Sequence, residues 1–167
     1  MAIPHRGQTG HGTYFVTANT FQKRNLLQSK RAVNLLIETL YHWRAERKLL
    51  LHEFVLMPNH FHLLTTPGDD ITLERVLGVV KGRFSHEARL QLGLQGEIWQ
   101  TSFYDRRIRD WQEFQRFRRY IHENPVRRGL VTAAKDFSFS SASGRFELDD
   151  IPQRLKPLAK EAAGSQG

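Results

Sequence analysis

Two stretches of the chain hold residues whose types and spacing could do chemistry. The first is LHEFVLMPNHFHLLTT, residues 51–66, with His60 and His62 either side of Phe61. Side chains alternate faces along a strand, so the two imidazoles point one way and Phe61 the other. Two imidazoles on one face are a ready bidentate site for a divalent cation. Alone the triplet is weak evidence, because a chain with 8 histidines produces such spacings by chance.

The second stretch is DWQEFQRFRRYIHEN, residues 110–124. Wheeled as a helix, it puts Trp111, Phe114, Phe117, Arg118 and Ile121 on one side. Tyr120 and Asn124, four residues apart, stack beside that stripe. Each has an ordinary reading, the tyrosine as filler of the core edge and the asparagine as the helix end before Pro125. Phosphodiester cleavage offers another. A phenol is a poor nucleophile at neutral pH and needs help to attack phosphorus. A divalent ion beside the phosphate polarises its oxygens and stabilises the developing charge. Two imidazoles and one amide oxygen leave open positions on a six-coordinate Mg²⁺ or Mn²⁺, and imidazole makes manganese at least as natural as magnesium. Tyr120 would then be the nucleophile, with His60, His62 and Asn124 as ligands. Tyr104, beside Asp105, is a rival nucleophile without a ligand partner at helical spacing. Glu53 is either an outer acid or base or simply a paired carboxylate.

Charge points to the same class of partner. Lys and Arg total 25 against 17 Asp and Glu in 167 residues, a net +8, and the isoelectric point is near 10.2. Nucleic acid is the polyanion such a balance favours, ahead of a lipid surface. Arg106, Arg107, Arg109, Arg116, Arg118, Arg119, Arg127 and Arg128 crowd the second stretch and could hold phosphates, giving salt-sensitive affinity with little sequence information. A solvated helix face would use some of them equally well. Trp111, Phe103 and Tyr104 are candidates either for base stacking or for the core. With no cysteine there is no disulfide framework, thiolate zinc site or cysteine nucleophile. The opening MAIPHRGQTGHG lacks the apolar core of a signal peptide, and no apolar run is long enough to span a bilayer. The expected residence is cytoplasmic, associated with the nucleoid.

The elements that must position these residues can be read from pattern. Tyr14–Phe21 alternates as a strand, Tyr14, Val16 and Ala18 against Phe15, Thr17 and Asn19. Ser29 caps a helix whose stripe is Val33, Leu36, Ile37 and Leu40. Leu49–Met57 is nearly all apolar, as a central strand would be. Pro58-Asn59 turns the chain into a strand at His60–Thr66. Thr72 opens a helix with the stripe Leu73, Val76, Leu77, Val80 and Phe84, ending near Gly93. Ile98–Ile108 reads as a fourth strand, and Asp110 caps the last helix, which should stop before Pro125. The order predicts an α+β, ferredoxin-like split βαβ: an antiparallel sheet with helices on one face, plus an extra helix carrying the tyrosine. One domain over residues 11–148 is expected, with a flexible lead at 1–10, a packed loop at 137–143 and a loose tail at 149–167.

MPNHFHLL at 57–64 followed by YIHENPVRRGLV at 120–131 resembles the single-tyrosine HUH (His, hydrophobic, His) transposases, nearest in look to the REP-associated tyrosine transposases. The resemblance runs from Tyr14 to Ser143 and includes WQTSFYDRRIRD at 99–110. It implies that His60 and His62 are the metal-binding pair. It implies too that Tyr120 attacks DNA, forming a 5′-phosphotyrosine link and freeing a 3′-hydroxyl. Asn124 falls at the third polar ligand, where mobile members often carry glutamine. The implied activity is that of a metal-dependent single-strand DNA endonuclease and strand transferase using Mg²⁺ or Mn²⁺, acting as a homodimer or monomer. Its implied partner is single-stranded DNA beside a hairpin, in the REP-associated branch a repeated extragenic palindrome. The alternative is a non-catalytic nucleic-acid binder of the RNA-recognition kind. That module wants aromatics on its two central strands, where this chain has histidines and aliphatics. Its Lys81-Gly82-Arg83-Phe84 is a poor imitation of the binder's motif, placed in a helix. A phosphohydrolase with water as nucleophile would be indifferent to Tyr120.

Overall fold

A computed structural model describes residues 11–157. The expected lead at 1–10 lies outside the described residues. Seven elements follow in order: β1 (Tyr14–Asn19), α1 (Lys30–Ala45), β2 (Leu49–Met57), β3 (His60–Pro67), α2 (Leu73–Leu92), β4 (Tyr104–Arg107) and α3 (Trp111–Arg127). The sheet order is β2-β3-β1-β4 and every pair is antiparallel. This is the split βαβ predicted from the pattern, with β3 inserted between β1 and β2.

Alternation sorts the core into two layers. Tyr14, Val16 and Ala18 of β1, with Phe61 and Leu63 of β3, pack under Leu36 and Leu40 of α1 and Val80 and Phe84 of α2. On the opposite face Phe15 and Leu64 meet Phe114 and Ile121 of α3. So α1 and α2 share one face, and the extra helix covers the other. Both faces of the sheet are covered, which is why β2 is nearly all apolar, and a register shift falls between Leu51 and Glu53. It keeps Leu51 and Phe54 both towards α1 and α2, and sends Glu53, Val55 and Met57 towards α3. Each fully buried phenylalanine or leucine in these layers contributes about 1.5–3 kcal/mol. Local chemistry agrees with the packing. Ser29 Oγ accepts from Ala32 N at 3.1 Å at the start of α1, and Gly93, at φ 67°, ends α2.

Several boundaries differ from those read in the sequence. The first strand ends at Asn19, because residues 21–23 form a 3-10 turn. The fourth is only Tyr104–Arg107, with an isolated bridge between Thr20 and Trp99. Ile98 and Trp99 are consecutive yet both buried, which a strand alternating between core and solvent cannot do, and Trp99 packs edge-on to Phe61 and Phe84. Helix α3 does not stop before Pro125 but continues to Arg127. The proline sits in the last turn, where its missing N–H forfeits a single helical bond, and its ring is buried. Asn124 is therefore an interior helix residue with a fixed direction. The segment at 137–143 packs along the edge of β2: Leu56 N donates to Phe139 O at 2.9 Å, and Val55 bridges Ser140. The tail expected to be loose from residue 149 is held as far as the description goes. Asp149 pairs with Arg44 at 2.9 Å, Leu155 is buried, and Arg154 donates to Thr13 Oγ1 at 3.1 Å. Among the described residues no helix is long and apolar enough to cross a membrane.

Candidate active site

Register brings the first pieces together. Cross-strand partners share a face, and β1 pairs Thr17 with His62 and Asn19 with His60. The face that carries both histidines also carries Phe15 and is roofed by α3. The two imidazole centroids are 4.8 Å apart. His62 stacks on Phe15 at 5.3 Å, and Phe15 stacks in turn on Phe117 at 4.5 Å. Tyr120 stands edge-on to His62 at 5.3 Å and to Phe15 at 5.8 Å, with 38% of its surface exposed. One turn on, Asn124 is buried and its Nδ2 lies 3.4 Å from His62 Nε2. His60, His62 and Tyr120 thus converge from one strand and one helix on a cleft of about 320 Å³, bordered also by Tyr104, Lys23 and Arg128, with Asn124 buried behind it against His62.

The second nitrogens of the two rings are engaged. His60 Nδ1–H donates to Asn59 Oδ1 at 2.7 Å. His62 Nδ1 lies 2.8 Å from Thr17 Oγ1. With the proton on Nδ1, each Nε2 keeps its lone pair, the tautomer a metal ligand needs. Burial holds both rings neutral, helped at His60 by Arg128 and Lys23 and at His62 by the His60 ring. It lowers His60 to about 4 and His62 to about 3. Asn124 Oδ1 is buried with no hydrogen-bond partner, and an orphaned amide oxygen in such a place calls for an explanation. Two neutral imidazoles and that oxygen form a donor set that fits Mn²⁺ or Mg²⁺. Among the described residues no three His, Cys, Asp or Glu converge, so a metal held here would keep positions open for water and substrate.

The arginines divide. Arg127 lies over the Tyr120 ring at 4.4 Å and donates to the Tyr120 carbonyl at 3.2 Å, and Arg128 borders the cleft. Arg106 and Arg109 are instead tied to Glu113, at 2.8 and 3.4 Å. Arg107 donates to the His11 carbonyl, and Arg116 covers Phe117 at 5.1 Å. Arg119 lines a separate groove with Arg118, His122 and Glu123. Of the aromatic candidates, Phe103 and Trp111 pack against the core and Tyr104 is exposed. Glu53 takes the paired-carboxylate reading. It lies opposite Leu64 rather than the histidines, buried against Arg118 Nε at 2.9 Å, His122 Nε2 at 2.9 Å and the Ser141 hydroxyl.

The family model for IS200-like transposases matches residues 11–124, a span that ends on Asn124. The chain belongs to the IS200-like transposase family. It is 27% identical to the REP-associated tyrosine transposase of Escherichia coli K12, over 83% of this chain and 84% of that one. A Haemophilus influenzae relative assigned to the same REP-associated group is 29% identical, over 92% of each. Among solved structures, a REP-associated tyrosine transposase bound to a REP hairpin superposes with a TM-score of 0.71 at 25% identity, covering 95% of this chain and 96% of that one.

Sequence reasoning missed four polar residues at the cleft of this IS200-like chain: Thr17, Asn19, Asn59 and Lys23. The first two had a signal, since they alternate with the core residues of β1 on the face of Phe15. Asn59 read only as a turn residue. Lys23 had no signal at all, because its placement depends on a backbone conformation unusual for lysine.

Proposed function

We propose that this protein is a divalent-metal-dependent single-strand DNA endonuclease and strand transferase that works through a covalent bond to Tyr120. The observation that carries the reading is the convergence of Tyr120, His60, His62 and the orphaned Asn124 oxygen from segments far apart in sequence. Tyr120 Oη attacks the scissile phosphorus. The bond from phosphorus to the 3′-oxygen breaks, leaving a 5′-phosphotyrosine, and the 3′-oxygen takes up a proton to become a hydroxyl. The phenolic proton leaves through the open side of the cleft. Attack by another strand's 3′-hydroxyl on the phosphotyrosine reverses the step and joins the strands. His60, His62 and Asn124 Oδ1 would hold the metal, which polarises the phosphate oxygens. Phe15 and Arg127 fix the orientation of the tyrosine ring.

The partner we assign is single-stranded DNA carrying a hairpin, supported by the net charge of +8 and by the relative solved with a REP hairpin. The non-catalytic binder is the weaker reading, because α3 covers the sheet face on which such a module would stack bases. Product ends test the proposal. A labelled hairpin-bearing single strand incubated with Mn²⁺ or Mg²⁺ should yield a free 3′-hydroxyl that a polymerase extends, and none in EDTA. Cleavage that releases a 5′-phosphate on every turnover, with no protein-bound strand, would point to water as nucleophile and overturn the role of Tyr120.

A further inference from the structure

Lys23 occupies a place that its backbone pays for and the core does not need. Gln22 and Lys23 both sit in the left-handed region, at φ 53° and 52°, where residues with a Cβ are uncommon and glycine is the usual occupant. Two such residues in succession persist only where surrounding contacts over-determine the turn. Those contacts are present. Thr20 is buried, its N–H donates to the Asn59 carbonyl at 3.0 Å, and its hydroxyl lies 2.6 Å from Arg24 O and 3.0 Å from Asn59 O. Phe21 N donates to Ile98 O and Leu27 N to Pro58 O, both at 2.9 Å. The turn is thereby stitched to Pro58-Asn59, the turn that also orients His60 through Asn59 Oδ1. The side chain it presents is an exposed lysine on the border of the His60 cleft.

The charge around that lysine is unbalanced. Arg128, at the end of α3, borders the same cleft, and among the described residues neither cation is paired with a carboxylate. Among the described residues no Asp or Glu lines the cleft. Two cations beside a pair of neutral imidazoles leave net positive charge, and a divalent ion would add to it. An anion is the missing member, and the substrate class proposed above supplies one in every phosphodiester.

We infer that Lys23, held in its left-handed turn, forms with Arg128 a phosphate subsite on the His60 side of the cleft, which grips the phosphodiester backbone of single-stranded DNA as it crosses to Tyr120. The inference rests on the proposed single-strand DNA chemistry for its ligand. Its own geometry comes from the turn and the charge.

Binding of a short fluorescent single-stranded oligonucleotide to the full chain in EDTA tests it, before any chemistry takes place. Lys23→Gly suits the backbone better than lysine, so the variant should melt no lower than the wild type. It should nevertheless bind about tenfold more weakly, the loss of one charge-assisted phosphate contact. The slope of log affinity against log salt should flatten by about 0.7, one single-strand phosphate. Lys23→Arg should retain most of the affinity and the slope. Wild-type affinity and slope in both Lys23→Gly and Lys23→Ala would overturn the subsite. Because no metal is present, that result would remove Lys23 without touching Tyr120. Equally, failure of Tyr120 to form an adduct would leave a positive binding result standing.

Discussion

His62 is fixed from every side: Thr17 on one ring nitrogen, Asn124 facing the other, Phe15 on its flat face and Tyr120 on its edge. That enclosure keeps it neutral, and it has a consequence for stability. Burial lowers His62 from 6.5 to about 3 and His60 to about 4, and lowers His52 as well. Below pH 6.5 the unfolded chain takes up protons on these rings that the folded chain resists, so acid favours unfolding. Stability from this source is complete above pH 6.5 and is lost as pH falls towards the folded values. Glu53 is also lowered, from 4.5, so its own contribution is lost only below that. The window from pH 6.5 to 4.5 therefore reports the histidines. Melting temperature should drop across it in the wild type and drop less in His62→Gln, which removes one of the three rings. Parallel curves for the two proteins would show that His62 is not held neutral by burial.

Helix α3 carries Tyr120 and Asn124, so its seating decides whether the site exists. Its first turn is capped by Asp110, whose Oδ1 accepts from Glu113 N at 2.8 Å. Its middle is pinned by Glu53, which receives Arg118 and His122 from α3 and Ser141 from the segment along β2. Burial works against the Glu53 charge, but these partners outweigh it and hold the carboxyl below its ordinary range. His122 is midway in sequence between Tyr120 and Asn124 but projects from another side of the helix, so its bond to Glu53 helps fix the rotation that turns those two residues to the histidines. Glu53→Ala should lower stability by about 1–3 kcal/mol. It should reduce kcat for strand cleavage more than it raises KM, since Tyr120 loses its position while the surface cations remain. Loss of stability with unchanged kcat would make Glu53 a packing residue alone. The hydrophobic stripe of α3 was legible, as was its cap. Its extent through Pro125 was not, because whether a proline ends a helix depends on how few helical bonds remain to be lost after it. The Glu53 contacts were not legible either: they join a strand, a helix and a later loop, and no local pattern records a meeting between residues 53, 118, 122 and 141.

In the whole molecule, β3 and α3 meet because the sheet has two apolar faces and only one is filled by α1 and α2. The antiparallel order and the strand that supplies the histidines follow from alternation and turn residues, and the structure has both. The short fourth strand and the held tail depend on packing that alternation cannot see, as Ile98, Trp99 and Leu155 show by being buried outside any strand. Charge was legible as a total and as a crowd of arginines along the second stretch, but which of them would be paired was not. The fold assigns Arg106 and Arg109 to Glu113 and leaves Arg127, Arg128 and Lys23 around the cleft. If Tyr120 is the nucleophile, folding makes one phosphoryl-transfer site from two distant segments. Tyr104 borders the same cleft and is the more exposed of the two phenols, so the claim is tested by locating the bond itself. Protein reacted with a hairpin-bearing single strand and Mn²⁺ is digested, and the DNA-linked peptide is sequenced by mass spectrometry. The phosphotyrosine should fall at Tyr120 and vanish in Tyr120→Phe, while Tyr104→Phe still forms it. A DNA-linked peptide centred on Tyr104, or an adduct that survives Tyr120→Phe, would show that Tyr120 is not the nucleophile.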